Sequence, residues 1–129
     1  MGLIEGNIHQ DERGGVRFVN DFDMSDVVRM YCIEPNLGGV RAWQGHKVER
    51  KWFYVAKGRF LVKTLAMESL IKVEYVLTSS ESNVLEIGGG YYNGFEALEE
   101  GSVLMVFSDF NLEQSKKDDY RETVENIKW

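Results

Sequence analysis

No stretch of this chain stays apolar for more than five residues, 52-WFYVA-56 and 103-VLMVF-107 being the longest such runs, and turn-forming residues interrupt the sequence soon after each. A globular helix needs an apolar stripe sustained over ten or more residues at a 3.6-residue period, whereas a half-buried strand needs only a short run bounded by turns. The sequence meets the second requirement repeatedly, at 16-VRFVN-20, 27-VVRMYCI-33, 40-VRAWQG-45, 51-KWFYVA-56, 59-RFLVKTL-65, 71-IKVEYVL-77, 83-NVLEI-87, 91-YYNGFEAL-98 and 102-SVLMVF-107. In 59-RFLVKTL-65 the two-residue period is clear, with Phe60, Val62 and Thr64 on one face. Turns are marked by 35-PNLGG-39, 57-KG-58, 78-TSSESN-83, 88-GGG-90 and 99-EEG-101. Glycine occurs thirteen times and proline once, so glycine supplies the positive-φ turn positions. Only 66-AMESLI-71 hints at a helical turn within the strand region, and residues 112–129 read as a charged tail, irregular or partly helical. The fold expected is all-β: a single-domain antiparallel β-barrel or sandwich of the jelly-roll kind, spanning 1–129, whose mouth can hold a small ligand.

Several function classes are excluded at this level. The net charge is −6, with acids and bases interspersed, which argues against a general nucleic-acid surface while leaving local basic groups free to bind one phosphate. Five-residue apolar runs are too short for a membrane-spanning helix. Residues 1–13 lack the basic and apolar regions of a secretory signal, and the lone Cys32 has no intramolecular disulfide partner; both lead to the expectation of a reducing cytoplasm.

The segment 38-GGVRAWQGHKVERKWFYVAKG-58 carries the motif with the most chemistry. Its spacing coincides with the first cupin motif, in which a glycine is followed by His-x-His, a glutamate and a closing glycine. Gly38 and Gly58 take the glycines, Gln44 and His46 the two histidines, and Lys51 the glutamate. The second cupin motif, Pro-x-Gly-x-x-His, falls on 88-GGGYYN-93, with Asn93 at the histidine. Gln, one His, Lys and Asn do not make a cation site, because the ammonium repels a metal and too few imidazole or carboxylate lone pairs remain. The pattern is that of a cupin without a metal or other cofactor.

More specific matches run in the same order along the chain. The segment 11-DERGGV-16 resembles an Asp-x-Arg-Gly motif of the dTDP-4-dehydrorhamnose 3,5-epimerase family; 40-VRAWQGH-46 resembles that family's Val-Arg-Gly-Leu-His and the Arg-Gly-x-His-Ala-His of the related WxcM-like dTDP-4-keto-6-deoxyhexose 3,4-ketoisomerases; and 87-IGGGYYNGF-95 resembles Ile-Pro-x-Gly-x-x-His-Gly-Phe. The resemblance extends from about Asp11 to Asp109. It implies a cupin fold, a homodimer and a nucleotide-linked 4-keto-6-deoxy sugar as ligand, in deoxysugar synthesis for surface polysaccharide. Two departures matter: the epimerases' catalytic histidine falls on Gln44, and their tyrosine acid falls near Met105. Neither side chain exchanges protons at neutral pH.

On this reading His46 is the candidate base, since its ordinary pKa lies near neutrality, and Lys51 stabilises an enolate or holds a phosphate. The resemblance assigns Arg41 and Arg13 to the phosphates, Arg13 in some members across a dimer interface. Tyr91 and Tyr92 are candidates for stacking on the base, and Gln44 and Asn93 for orienting the sugar. Each has a plainer alternative: a satisfied polar histidine, solvated strand cations, core tyrosines. Asp118 and Asp119 either orient a histidine or form a solvated charge run. Lys51 shares the inward parity of Phe53 and Val55, and an unpaired inward ammonium is unfavourable unless it lines a wet cavity. The function expected is a metal-independent epimerase or ketoisomerase. The rivals are a catalytically silent sugar-nucleotide-binding cupin and a metal-dependent oxygenase, the latter requiring ligands this sequence lacks.

Overall fold

A computed structural model describes residues 1–129. In chain order the strands are β1 (Gly2–Ile4), β2 (Asn7–Asp11), β3 (Gly14–Phe18), β4 (Arg29–Ile33), β5 (Val40–His46), β6 (Lys51–Lys57), β7 (Arg59–Ala66), β8 (Lys72–Thr78), β9 (Val84–Ile87), β10 (Tyr91–Ala97) and β11 (Val103–Ser108), followed by the short helix α1 (Leu112–Lys116) and strand β12 (Tyr120–Arg121). One five-stranded sheet runs β1-β9-β6-β11-β4, a second runs β12-β5-β10-β7-β8, and β2 and β3 form a separate hairpin. All pairings are antiparallel. Of the two all-β forms expected, the chain takes the jelly-roll sandwich; each sheet keeps two free edges and no barrel closes.

Every strand expected from the sequence is present within a few residues of its expected bounds. The sheets pair because each has an apolar inner face. Phe53 and Val55 of β6, Leu85 and Ile87 of β9, and Leu104 and Val106 of β11 meet Phe60 and Val62 of β7, Leu77 of β8, and Phe95 and Ala97 of β10. Phe95 stands edge-on to Phe53 and Phe60, with centroids 6.1 and 6.3 Å away, the arrangement aromatic quadrupoles favour. At Gly58, where φ is +78°, the chain reverses tightly from β6 into β7.

The segment 66–71 makes the single helical-type turn its sequence hinted at, with Leu70 N–H donating to the Ala66 carbonyl, and connects β7 to β8 without continuing as a helix. Strands β1 and β12 are short, and β2 is largely polar and exposed, so none carries a periodic signal. The tail is partly helical, as its composition allowed, but it is not solvated throughout. Asn111 caps α1 in a capping box with Gln114, and the chain then turns back to add β12 to β5, pairing Tyr120 with Gly45 and Arg121 with Gln44. Beyond it, Trp43 Nε1 donates to the Ile127 carbonyl at 2.7 Å and Trp129 packs on Trp43 with centroids 5.3 Å apart. No helix of the chain is long and apolar enough to cross a membrane.

Candidate functional site

Where the two sheets part, the strands and the returning tail enclose a cleft of about 1220 Å³. Arg29 and Tyr31 reach it from β4, Arg41 and Gln44 from β5, Lys51 and Phe53 from β6, Asn93 and Phe95 from β10, and Asp119 and Arg121 from the tail. Cross-strand register explains the convergence. Asn93 lies opposite Gln44, and Lys51, on the facing sheet, shares the inward parity that puts Phe53 and Val55 in the core.

Lys51 is the electrostatic centre of the cleft. It is only 3% exposed, and its ammonium meets neutral partners alone, donating to the Tyr31 hydroxyl at 2.9 Å and the Gln44 amide oxygen at 3.4 Å. A buried cation without a counter-ion is unfavourable, so an anionic or oxyanionic group entering the cleft would supply the missing charge. Arg41, exposed at the cleft wall, is not ion-paired either. Arg121 pairs with Asp119 at 3.0 Å, and Asp119 Oδ1 lies 3.5 Å from Gln44 Nε2, a long contact.

His46 follows Gln44 by two positions on β5 and is likewise 3% exposed, standing beside the lining set rather than within it. Its Nδ1 lies 2.6 Å from the Asp118 backbone carbonyl. A carbonyl only accepts, so Nδ1 carries the proton and Nε2 presents a lone pair. Nε2 is buried and has no hydrogen-bond partner. Burial, then the Lys51 charge, hold the imidazole pKa below its ordinary 6.5, against the opposing effects of Asp118 and Glu49. At neutral pH the ring is therefore an uncharged base.

The loop after β5 is fixed by Asp118, whose carboxylate accepts from the backbone N–H groups of Lys47, Val48 and Glu49 at 2.8–3.0 Å. Burial raises the affinity of this carboxyl for a proton, but the three N–H groups outweigh burial and leave its pKa lowered.

The structure thus brings Arg41, Gln44, Lys51 and Asn93 to the cleft, with His46 adjacent. It does not bring the other three candidates. Arg13, at the tip of the β2–β3 hairpin, is 83% exposed and pairs with Asp11 at 2.7 Å. Tyr91 packs against the core, and Tyr92 lies over Gly45, where a Cβ would come within 2.5 Å of the tyrosine ring. Met105 has the parity opposite to buried Leu104 and Val106 and does not line the cleft. The phenol it fails to provide is present on the neighbouring strand as Tyr31. The alternation of Arg29, Tyr31 and Ile33 in β4 held that signal. Asp118, for which the sequence allowed either a histidine-orienting role or a solvated charge, is buried, with its backbone carbonyl on His46 and its carboxylate on the loop after β5.

The donor set does not fit a divalent cation. An ammonium, two amides and one imidazole occupy the cupin ligand positions, and no three His, Cys, Asp or Glu side chains converge anywhere in the chain.

Two facing five-stranded antiparallel sheets with a cleft at their open end define a cupin-like jelly roll. Among solved structures, that fold is shared with nucleotide-sugar enzymes. The rmlC epimerase of Mycobacterium tuberculosis superposes with a TM-score of 0.79 at 16% identity, over 92% of this chain and 66% of that one, so the chain spans slightly less than two thirds of that protein's length. The dTDP-4-dehydrorhamnose 3,5-epimerase of Sulfolobus tokodaii gives 0.80 at 24% identity, over 98% and 79% of the two chains. A sugar 3,4-ketoisomerase of Thermoanaerobacterium thermosaccharolyticum, solved with TDP, gives 0.76 at 19% identity, over 97% and 90%. No family model and no curated protein matches the sequence. The resemblance to these epimerases and ketoisomerases is thereby shown in the fold, at low sequence identity.

Proposed function

We propose that this protein is an isomerase or epimerase of a nucleotide-linked 4-keto-6-deoxy sugar, with dTDP as the nucleotide. The observation that carries the reading is the pairing of the buried Lys51 ammonium, hydrogen-bonded but without a counter-ion, with the buried His46 Nε2, which has no partner and whose ring feels the Lys51 charge. In the proposed reaction Nε2 takes the proton from a carbon next to the ketone. The C–H electrons form a carbon–carbon double bond, and the carbonyl π electrons move to oxygen, where the Lys51 ammonium and the Tyr31 hydroxyl bound to it stabilise the enolate. Return of a proton from solvent to the opposite face gives an epimer; return at the former carbonyl carbon, with the proton of the neighbouring carbon's hydroxyl passing to the enolate oxygen, moves the ketone. Gln44 and Asn93 orient the sugar hydroxyls, and Arg41 suits the diphosphate.

Arg13 serves the phosphates only if the hairpin reaches a second copy, in keeping with a homodimer, which light scattering of the purified protein tests directly. The function itself is tested by incubating the protein with dTDP-4-keto-6-deoxyglucose in deuterated water and following exchange beside the ketone by NMR. Exchange is expected, and His46→Gln abolishes it. Saturable binding of the nucleotide without exchange would make this a binding protein and end the enzyme reading.

A further inference from the structure

Beside His46 lies a group that the proposed reaction does not yet use. Glu49 is fully buried in the turn between β5 and β6, its carboxylate gripped from three other elements. Oε1 accepts from Ser115 Oγ of α1 at 2.7 Å and lies 3.4 Å from His46 Nδ1. Oε2 accepts from Ser108 Oγ of β11 at 2.6 Å and from the Arg29 guanidinium of β4 at 3.2 Å. A buried carboxylate needs charge and hydrogen bonds around it to remain, and a single shared guanidinium is a thin supply. Arg29 also donates to the Phe110 carbonyl and lies over the Tyr31 ring, 5.0 Å from its centroid.

We infer that Glu49 is the positioning residue of His46, held against the protonated ring nitrogen so that it aligns the imidazole and balances the charge His46 gains on taking a proton. The geometry gives one charge-linked path around the cleft floor. It runs from His46 to Glu49, through Arg29 to Tyr31, and through the Tyr31 hydroxyl to Lys51. The other charges that act on His46 are Lys51 from β6 and Asp118 and Asp119 from the tail; Lys51 disfavours the imidazolium, and the carboxylates favour it.

The role as positioning residue rests on the proposed function, but its electrostatic part can be read without substrate. The chain has two histidines, and His9 is exposed and remote from Glu49, so NMR titration of the protein labelled with nitrogen-15 histidine contains its own control. Glu49→Gln is expected to lower the His46 midpoint by about one pH unit, leave His9 unmoved and slow the deuterium exchange about tenfold. Ser115→Ala, which removes one hydroxyl from the carboxylate, is expected to move the His46 midpoint in the opposite direction, upward. A folded Glu49→Gln protein with an unshifted His46 midpoint overturns the inference. If that variant does not fold, an unshifted midpoint in Ser115→Ala overturns it equally. Loss of exchange in the unmodified protein, with the midpoints shifted as expected, would refute the enzyme reading and leave the Glu49–His46 coupling in place.

Discussion

His46 shows how far a single residue's chemistry depends on neighbours distant in sequence. The fold holds its pKa below 6.5, first by burial and then by Lys51, so the folded protein binds this proton less readily than the unfolded chain does. Stability from the neutral ring is therefore complete above the unfolded value. It is lost as pH falls through about 6.5 toward the lower folded value. Urea unfolding followed from pH 8 to about pH 5 is expected to show that loss, and His46→Asn is expected to flatten the curve over the same interval; an unchanged slope would contradict the assignment. The sequence disclosed the inward parity of Lys51 and the motif register of His46. It did not disclose the Asp118 carbonyl, 72 residues away, or the grip on the Glu49 carboxylate, because Ser108, Ser115 and Asp118 reach this corner only through the fold.

Among elements, the long strands were legible because each carries a two-residue apolar period or a compact apolar run, and that signal survives in isolation. Strand β12 was not, since two polar residues have no period; its place is fixed by backbone pairing with β5 and by Trp129 beyond it. Gly94 in β10 makes that docking possible. A Cβ there would sit 2.6 Å from both the Ala42 Cβ and the Trp129 ring. Gly94→Ala is expected to destabilise the protein by about 1–3 kcal/mol and to loosen the tail, seen as a red shift in tryptophan emission, because overpacking in a rigid setting forces neighbours to move. If the tail is displaced, binding of dTDP weakens too, since Asp119 and Arg121 form part of the cleft wall.

At the scale of the whole molecule, the glycine turns and short strands identified an all-β sandwich, and the cupin spacing located its open end. What lay beyond the sequence was the division of labour within that end: a dry, T-stacked aromatic core on one side of Phe53 and Phe95, and a polar cleft on the other. Lys51 stands at this boundary, and its lack of a counter-ion affects more than catalysis. Lys51→Met, which keeps the stem and removes the charge, is expected to make the empty protein more stable by about 1 kcal/mol or more while abolishing dTDP-sugar turnover, as melting curves with and without ligand would show. A lower melting temperature in the empty variant would mean that Tyr31 and Gln44 already satisfy the ammonium. Fold stability alone does not favour a lysine at this position, whereas an anion entering the cleft would.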